Sequence, residues 1–177
     1  MSTSAPSITI FFCAALAFRL ATLAISIRNE KLLKRAGAVE YGGENSLLLA
    51  VVHAIYYIAA AVEASIRHTQ LDGCSIAGMA LYSLGVIALL TVICLLGRQW
   101  TVKLMIAPSH VLVSHSIFRL VRHPNYFLNM PAELLGLALT CHSFFTMAVG
   151  IPLYLIPLSI RIREEQRVMS EKFSDYR

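Results

Sequence analysis

From Tyr126 to Ile160 the chain carries a single charged residue, Glu133. About 20 apolar residues cross a bilayer as a helix, so this run is too long for one crossing and just long enough for two short ones. Its weak break lies at Thr140–Ser143. The run therefore predicts a tight helical hairpin, residues 126–141 and 144–160. Three further apolar segments precede it, Ser7–Ile27, Ser46–Ala64 and Ser75–Leu96. Together they predict an all-α polytopic membrane protein with about five transmembrane helices. Composition agrees: 57% of residues are hydrophobic, 14% are charged, and mean hydropathy is +0.67. Water would leave that much apolar surface uncovered, whereas lipid would not.

The net charge is +5. A basic chain can track phosphates, but here the Lys and Arg residues punctuate apolar runs, which is a topology signal and excludes nucleic acid as the expected partner. Arg28, Lys31, Lys34 and Arg35 fall in the first connection. Arg98, Lys103, Arg119 and Arg122 fall in the third, and Arg161, Arg163, Arg167, Lys172 and Arg177 in the tail. These account for all but Arg19 and Arg67, and all lie on one side. The positive-inside rule makes that side cytoplasmic, with the N-terminus outside and the C-terminus inside. The N-terminal run lacks a basic n-region and is read as a retained helix; Ser2 excludes a myristoylation motif. Cys13, Cys74, Cys94 and Cys141 form no CxxC pair, so no metal or redox motif is expected. Cys74 and Cys141 share a predicted membrane face, but a disulfide between them is not expected. No internal repeat is visible. The chain reads as one domain, 1–177, with three N-terminal helices in 1–96 and the remainder in 97–177.

The stretch "RLVRHPNYF" (119–127) stands at the cytoplasmic mouth of the fourth helix. Arg and Tyr there are ordinary headgroup anchors. Pro124 adds a shaped helix start, because it biases His123 towards extended backbone and fits the first helical position. A helix N-terminus left free in this way can hold an anion. The hairpin returns the chain to the same face, so Arg122, His123 and Tyr126 are expected close to Arg161, Glu164 and Glu165. In a solvated tail those glutamates would simply pair with nearby Arg; facing the Arg-His-Tyr cluster they become candidates for a cation or a ribose.

Three ionisable residues lie deeper. Arg19, His53 and Glu133 all fall roughly 10–12 Å from the cytoplasmic face at the helical rise per residue. Such groups are costly in a bilayer and face a partner or a cavity, so Arg19 is expected to pair with Glu133, with His53 beside them. That pair serves either a structural or a substrate-binding role. Glu63 and Arg67 read as a plain helical pair. The spacing of His110 and His115 is wrong for one helix face, so a metal site there is weak. Pro131, Pro152 and Pro157 are expected to bend the last two helices.

The order "RLVRHPNY", a helical hairpin, then "RIREEQRVMSEKFSDY" resembles the isoprenylcysteine carboxyl methyltransferase family, specifically across 97–176. "RNEKLLKRAGAVEYG" (28–42) and "WTVKLMIAPSHVLV" (100–113) resemble a bacterial branch, which implies a bacterial inner membrane. The resemblance implies an S-adenosylmethionine-dependent O-methyltransferase with a cytosolic cofactor pocket and a lipophilic acceptor arriving from the bilayer. It implies that His123, Pro124, Tyr126 and Glu164 line the cofactor pocket, and that Arg161, Glu165 and Arg122 act near the reacting groups. Arg161 and Arg163 remain alternatives, as do Glu164 and Glu165 for closing the pocket. Leu128 and Ser174 replace glycines common in the family, and Leu128 is expected to narrow the pocket mouth.

A carboxylate acceptor, such as that of an isoprenylcysteine or similar thioether acid, is already ionised at neutral pH. A long-chain phenol or pyrone would need a base, for which His123 or a nearby Glu is the candidate. A non-catalytic membrane subunit or small transporter is the reading from another class, with Arg19 and Glu133 in its path.

Overall fold

The computed structural model describes residues 5–108 and 125–172. Four long helices dominate it: α1 (Pro6–Arg35), α2 (Gly43–Arg67), α3 (Gly73–Leu96) and α5 (Phe144–Lys172). A short α4 (Met130–Thr140) precedes α5, and a π-helical turn, Asn125–Asn129, leads into α4. All four long helices are long and apolar enough to cross a membrane. Their outward faces are studded with exposed Ile, Leu and Val, as a lipid solvent permits.

No fifth helix of spanning length occurs among the described residues. The turn and α4 together run only from Asn125 to Thr140, yet their ends meet opposite ends of the bundle. Tyr126 reaches Arg161 in the C-terminal half of α5, while the Cys141 carbonyl accepts from Thr69 Oγ1 beyond α2. The break after Thr140 becomes the turn Cys141–Ser143. Around it, Ser143 Oγ donates to the Ala60 carbonyl at 2.9 Å. Glu63 does more than pair with Arg67 (3.0 Å), because its carboxylate also accepts from the backbone of Phe145 and Thr146 at the free start of α5. This is a carboxylate at a helix N-terminus.

The last two helices part company in packing. α5 lies chiefly against α2, with Gly150 under the Tyr56 ring. α4 lies chiefly against α3 and does so backbone to backbone. A Cβ on Gly136 would stand 2.5 Å from the Tyr82 nitrogen, one on Gly85 3.2 Å from the Glu133 nitrogen, and one on Gly78 would strike Thr140. Small residues give such close approach in membranes, where no hydrophobic drive separates protein from lipid.

The long helices overrun their apolar segments. Arg28, Lys31, Lys34 and Arg35, expected in a loop, form the last turns of α1. Glu164, Glu165 and Arg167, expected after the fifth helix, lie within α5. Their helical propensity, with charges free to leave the bilayer, carries the helices on into water. Pro131 does not bend α4 but sits in its first turn, whereas Pro152 and Pro157 lie inside α5. Cys74 and Cys141 are free thiols.

A two-stranded antiparallel ribbon departs from the all-helical expectation. β1 (Val39–Tyr41) pairs with β2 (Leu104–Ile106) in the register Glu40 to Met105. The segment 97–106 is strapped down at many points. Asn29 Nδ2 donates to the carbonyls of Gly97 and Trp100, and the Val102 nitrogen donates to Ser26 Oγ. Lys103 Nζ meets both Glu30 (3.2 Å) and Glu40 (3.1 Å), and these hydrogen bonds, Glu40's first, raise its pKa.

Candidate active site

In the C-terminal half of α5, beside the strap 97–106, Arg161 is buried, with 2% of its surface exposed. Its guanidinium is held on three sides by three different parts of the chain. Nε donates to the Tyr126 hydroxyl at 3.2 Å, Nη1 to Ser46 Oγ at 2.8 Å and Nη2 to the Val102 carbonyl at 3.1 Å. The Tyr126 hydroxyl in turn donates to Glu165 Oε2 at 2.7 Å, and that carboxylate stands 4.0 Å from Arg161 Nε. Each of the three guanidinium nitrogens thus has a hydrogen-bond partner, and a planar guanidinium is the group that suits paired hydrogen bonds to an oxygen ligand.

Local structure explains each placement. The π turn before α4 carries Tyr126, and one helical turn on α5 separates Arg161 from Glu165. Ser46 sits in the first turn of α2 and is fixed by donating to the Gly42 carbonyl at 3.0 Å. Gly42 has φ +60°, a left-handed conformation that favours glycine. Glu164 lies directly against it, so that a Cβ there would collide with the carboxylate. Glu164 Oε2 is buried and has no hydrogen-bond partner among the described residues; Asn45 Oδ1, in the same turn of α2, is likewise unmatched.

The structure thus brings Tyr126, Arg161 and Glu165 together and sets Glu164 beside them on α5. It separates Arg161 from Arg163, which is exposed. Arg122, His123 and Pro124 lie outside the described residues, as do Arg119, His110, His115 and Ser174. Leu128 is 40% exposed, so it is not packed among the buried residues of the site. Ser46, Gly42 and the Val102 carbonyl went unnoticed in the sequence. The Gly42-Gly43 pair before an apolar run was a usable signal for a close backbone approach. Nothing in the sequence marked a carbonyl as a partner for arginine.

The deeper residues also meet. Arg19 Nε lies 2.8 Å from Glu133 Oε1, and His53 Nε2 lies 3.2 Å from the same oxygen. The Tyr57 hydroxyl donates to it at 2.7 Å and lies 3.1 Å from the Tyr82 hydroxyl. The two tyrosines were not anticipated. Among the described residues no cluster of His, Cys, Asp and Glu is arranged to hold a metal.

Fold and site define a multi-pass helical membrane protein with a pinned arginine–tyrosine–glutamate cluster at one end of its bundle. The sequence model of the isoprenylcysteine carboxyl methyltransferase (ICMT) family matches residues 78–171, more than half of the chain, and the chain belongs to that family. Membership makes it a membrane methyltransferase. An uncharacterized protein of Haemophilus influenzae is 43% identical over 166 residues, covering 94% of this chain and 96% of its own. The uncharacterized protein YpbQ of Bacillus subtilis is 27% identical over 154 residues, covering 86% and 90%. No solved structure matches the chain.

Proposed function

We propose that the protein transfers a methyl group from S-adenosylmethionine to an oxygen of a lipophilic acceptor that arrives from the bilayer, at a site facing the cytoplasm. The observation that carries this reading is the Tyr126–Arg161–Glu165 cluster, with the unmatched Glu164 carboxylate beside it. The residues fit the cofactor. A buried carboxylate oxygen without a donor calls for one, and the cofactor's ammonium or a ribose hydroxyl provides it. Glu164 would take that group, with Tyr126 as a neighbouring wall and His123 and Pro124 expected alongside. When bound, the cofactor supplies an electrophilic methyl group.

The chain's own task is then to position the acceptor and exclude water. Arg161 is the residue that would hold the acceptor oxygen, and its three anchors keep the guanidinium from turning. Glu165 balances the arginine's charge through Tyr126. The acceptor is read as the carboxylate of an isoprenylcysteine or similar thioether acid, which needs no base.

Calorimetry with S-adenosylmethionine on the detergent-purified chain tests the proposal. Binding is expected, weakened at least about tenfold in Glu164→Gln by loss of a charge-assisted hydrogen bond. No binding by the native chain overturns the methyltransferase mechanism, and binding untouched by Glu164→Gln and His123→Ala overturns the site.

A further inference from the structure

The last turns of α1 present two faces of opposite character. One face is closed. Ser26 and Asn29 are both buried there and hold the strap 97–106, through the Val102 nitrogen and the carbonyls of Gly97 and Trp100. At about 100° per residue, Arg28, Lys31 and Arg35 fall within an arc of about 60° on the opposite side. All three residues are exposed. From Arg28 to Arg35 their stripe is roughly 10 Å long. Spacings of three and four residues make neighbours of these side chains along the helix, so two of them can share one phosphate.

The fold sorts the charges around this stripe. Lys34 Nζ lies 2.6 Å from Glu30 Oε1, and Lys103 Nζ bridges Glu30 and Glu40. Those lysines take up the nearby carboxylates, so Arg28, Lys31 and Arg35 form no ion pair among the described residues. Towards the bilayer the same side of α1 continues as Leu20, Leu23, Ala24 and Ile27, all exposed. They belong to the apolar segment Ser7–Ile27, where lipid is the solvent. A ligand that matches the whole surface therefore has an anionic head and an apolar body. A soluble phosphate would match only the basic half. The positive-inside rule counts cations wherever they point. Here the helix runs on past its apolar segment, and that continuation gathers three of them onto one face, as a loop would not.

We propose that the Arg28–Lys31–Arg35 stripe binds the phosphate of an anionic phospholipid whose tails lie along Leu20, Leu23 and Ile27 of the same helix. The lipid braces the outer face of α1 while the strap holds the inner one. It does so at the turns where Ser26 fixes Val102, whose carbonyl is a partner of Arg161. The binding does not depend on methyl transfer, nor on which leaflet this end of α1 meets.

Native mass spectrometry of the detergent-purified full chain tests this, with phosphatidylglycerol and phosphatidylcholine of the same tails at equal concentration. Each basic residue near a lipid surface strengthens attraction to anionic lipid about fivefold, so the native chain is expected to retain phosphatidylglycerol at least about tenfold better. Arg28→Gln/Lys31→Gln/Arg35→Gln is expected to lose that preference. Arg98→Gln/Arg167→Gln/Lys172→Gln removes as much charge from exposed positions off the stripe and is expected to keep it. Equal retention of the two lipids by the native chain overturns the proposal. So does a preference lost in both variants alike or kept in both. A large excess of sn-glycerol 3-phosphate, the head without tails, is expected to leave phosphatidylglycerol bound; its displacement would overturn the lipid assignment in favour of a soluble phosphate.

Discussion

Arg161 shows how much one side chain can knit together. It joins α2, the strap 97–106, the π turn and α5 through single hydrogen bonds. Replacing Ser46 by Ala removes one partner and leaves a buried charged N–H bare, at an expected cost of about 1–3 kcal/mol. Denaturant unfolding in detergent measures it, and Ser46→Thr, which keeps the hydroxyl, should recover most of the loss. In the deeper polar cluster, a double-mutant cycle between Arg19 and Glu133 should give a coupling of about 1–3 kcal/mol; zero coupling would show that their contact carries no energy. Both sites were half visible in the sequence. An arginine, a histidine and a glutamate within apolar runs announce themselves because lipid makes them costly. Ser46, Tyr57 and Tyr82 do not, since small or amphipathic side chains are ordinary in a membrane helix, and only the fold shows which of them face inward.

The helices were legible by their apolar length, but their ends were not. Hydropathy reports where lipid stops, whereas a helix continues as long as its backbone is satisfied. That is why the basic turns of α1 and the glutamates of α5 were misplaced into loops. The ribbon β1–β2 was missed because three-residue strands carry too little pattern. Packing between α3 and α4 depends on glycine, so Gly136→Ala is expected to destabilise the protein by about 1–3 kcal/mol through forced separation of the two backbones. Gly73→Ala, where a Cβ meets nothing within 4 Å, is the matched control. At the start of α3, Asp72 Oδ1 accepts from the Ser75 nitrogen at 2.8 Å and lies 3.0 Å from His142 Nε2. These hold its carboxyl below the usual carboxylate range, the Ser75 N–H first. A depressed value means stability present above the ordinary value of about 4 and lost as pH falls through the lower, folded one. Thermal midpoints of the native chain and Asp72→Asn, which caps without titrating, should therefore converge on acidification below that range.

At the scale of the whole molecule, charge placement predicts which end of the bundle faces the cytoplasm. In intact cells, a cysteine replacing exposed Lys31 should resist membrane-impermeant maleimide, while one replacing Gln70 should react; the reverse pattern would invert the topology. The two halves of the chain are not independent modules. The matched family region begins at residue 78, yet α2 and the Gly42 that precedes it supply Ser46 and a close backbone approach to the site, and α1 supplies Arg19 to the deeper polar cluster.

The shortness of α4 has a consequence for biogenesis. An eleven-residue helix is a poor substrate for independent membrane insertion, so it must be carried in by its neighbours. α3 precedes α4 in the chain and α5 follows it. Tyr126, which hangs on the turn ahead of α4, can reach Arg161 only once α5 has been made. Assembly of the site is thus the closing event of insertion. A chain truncated within α5 would be expected to integrate its first three helices normally and still leave α4 to membrane quality control.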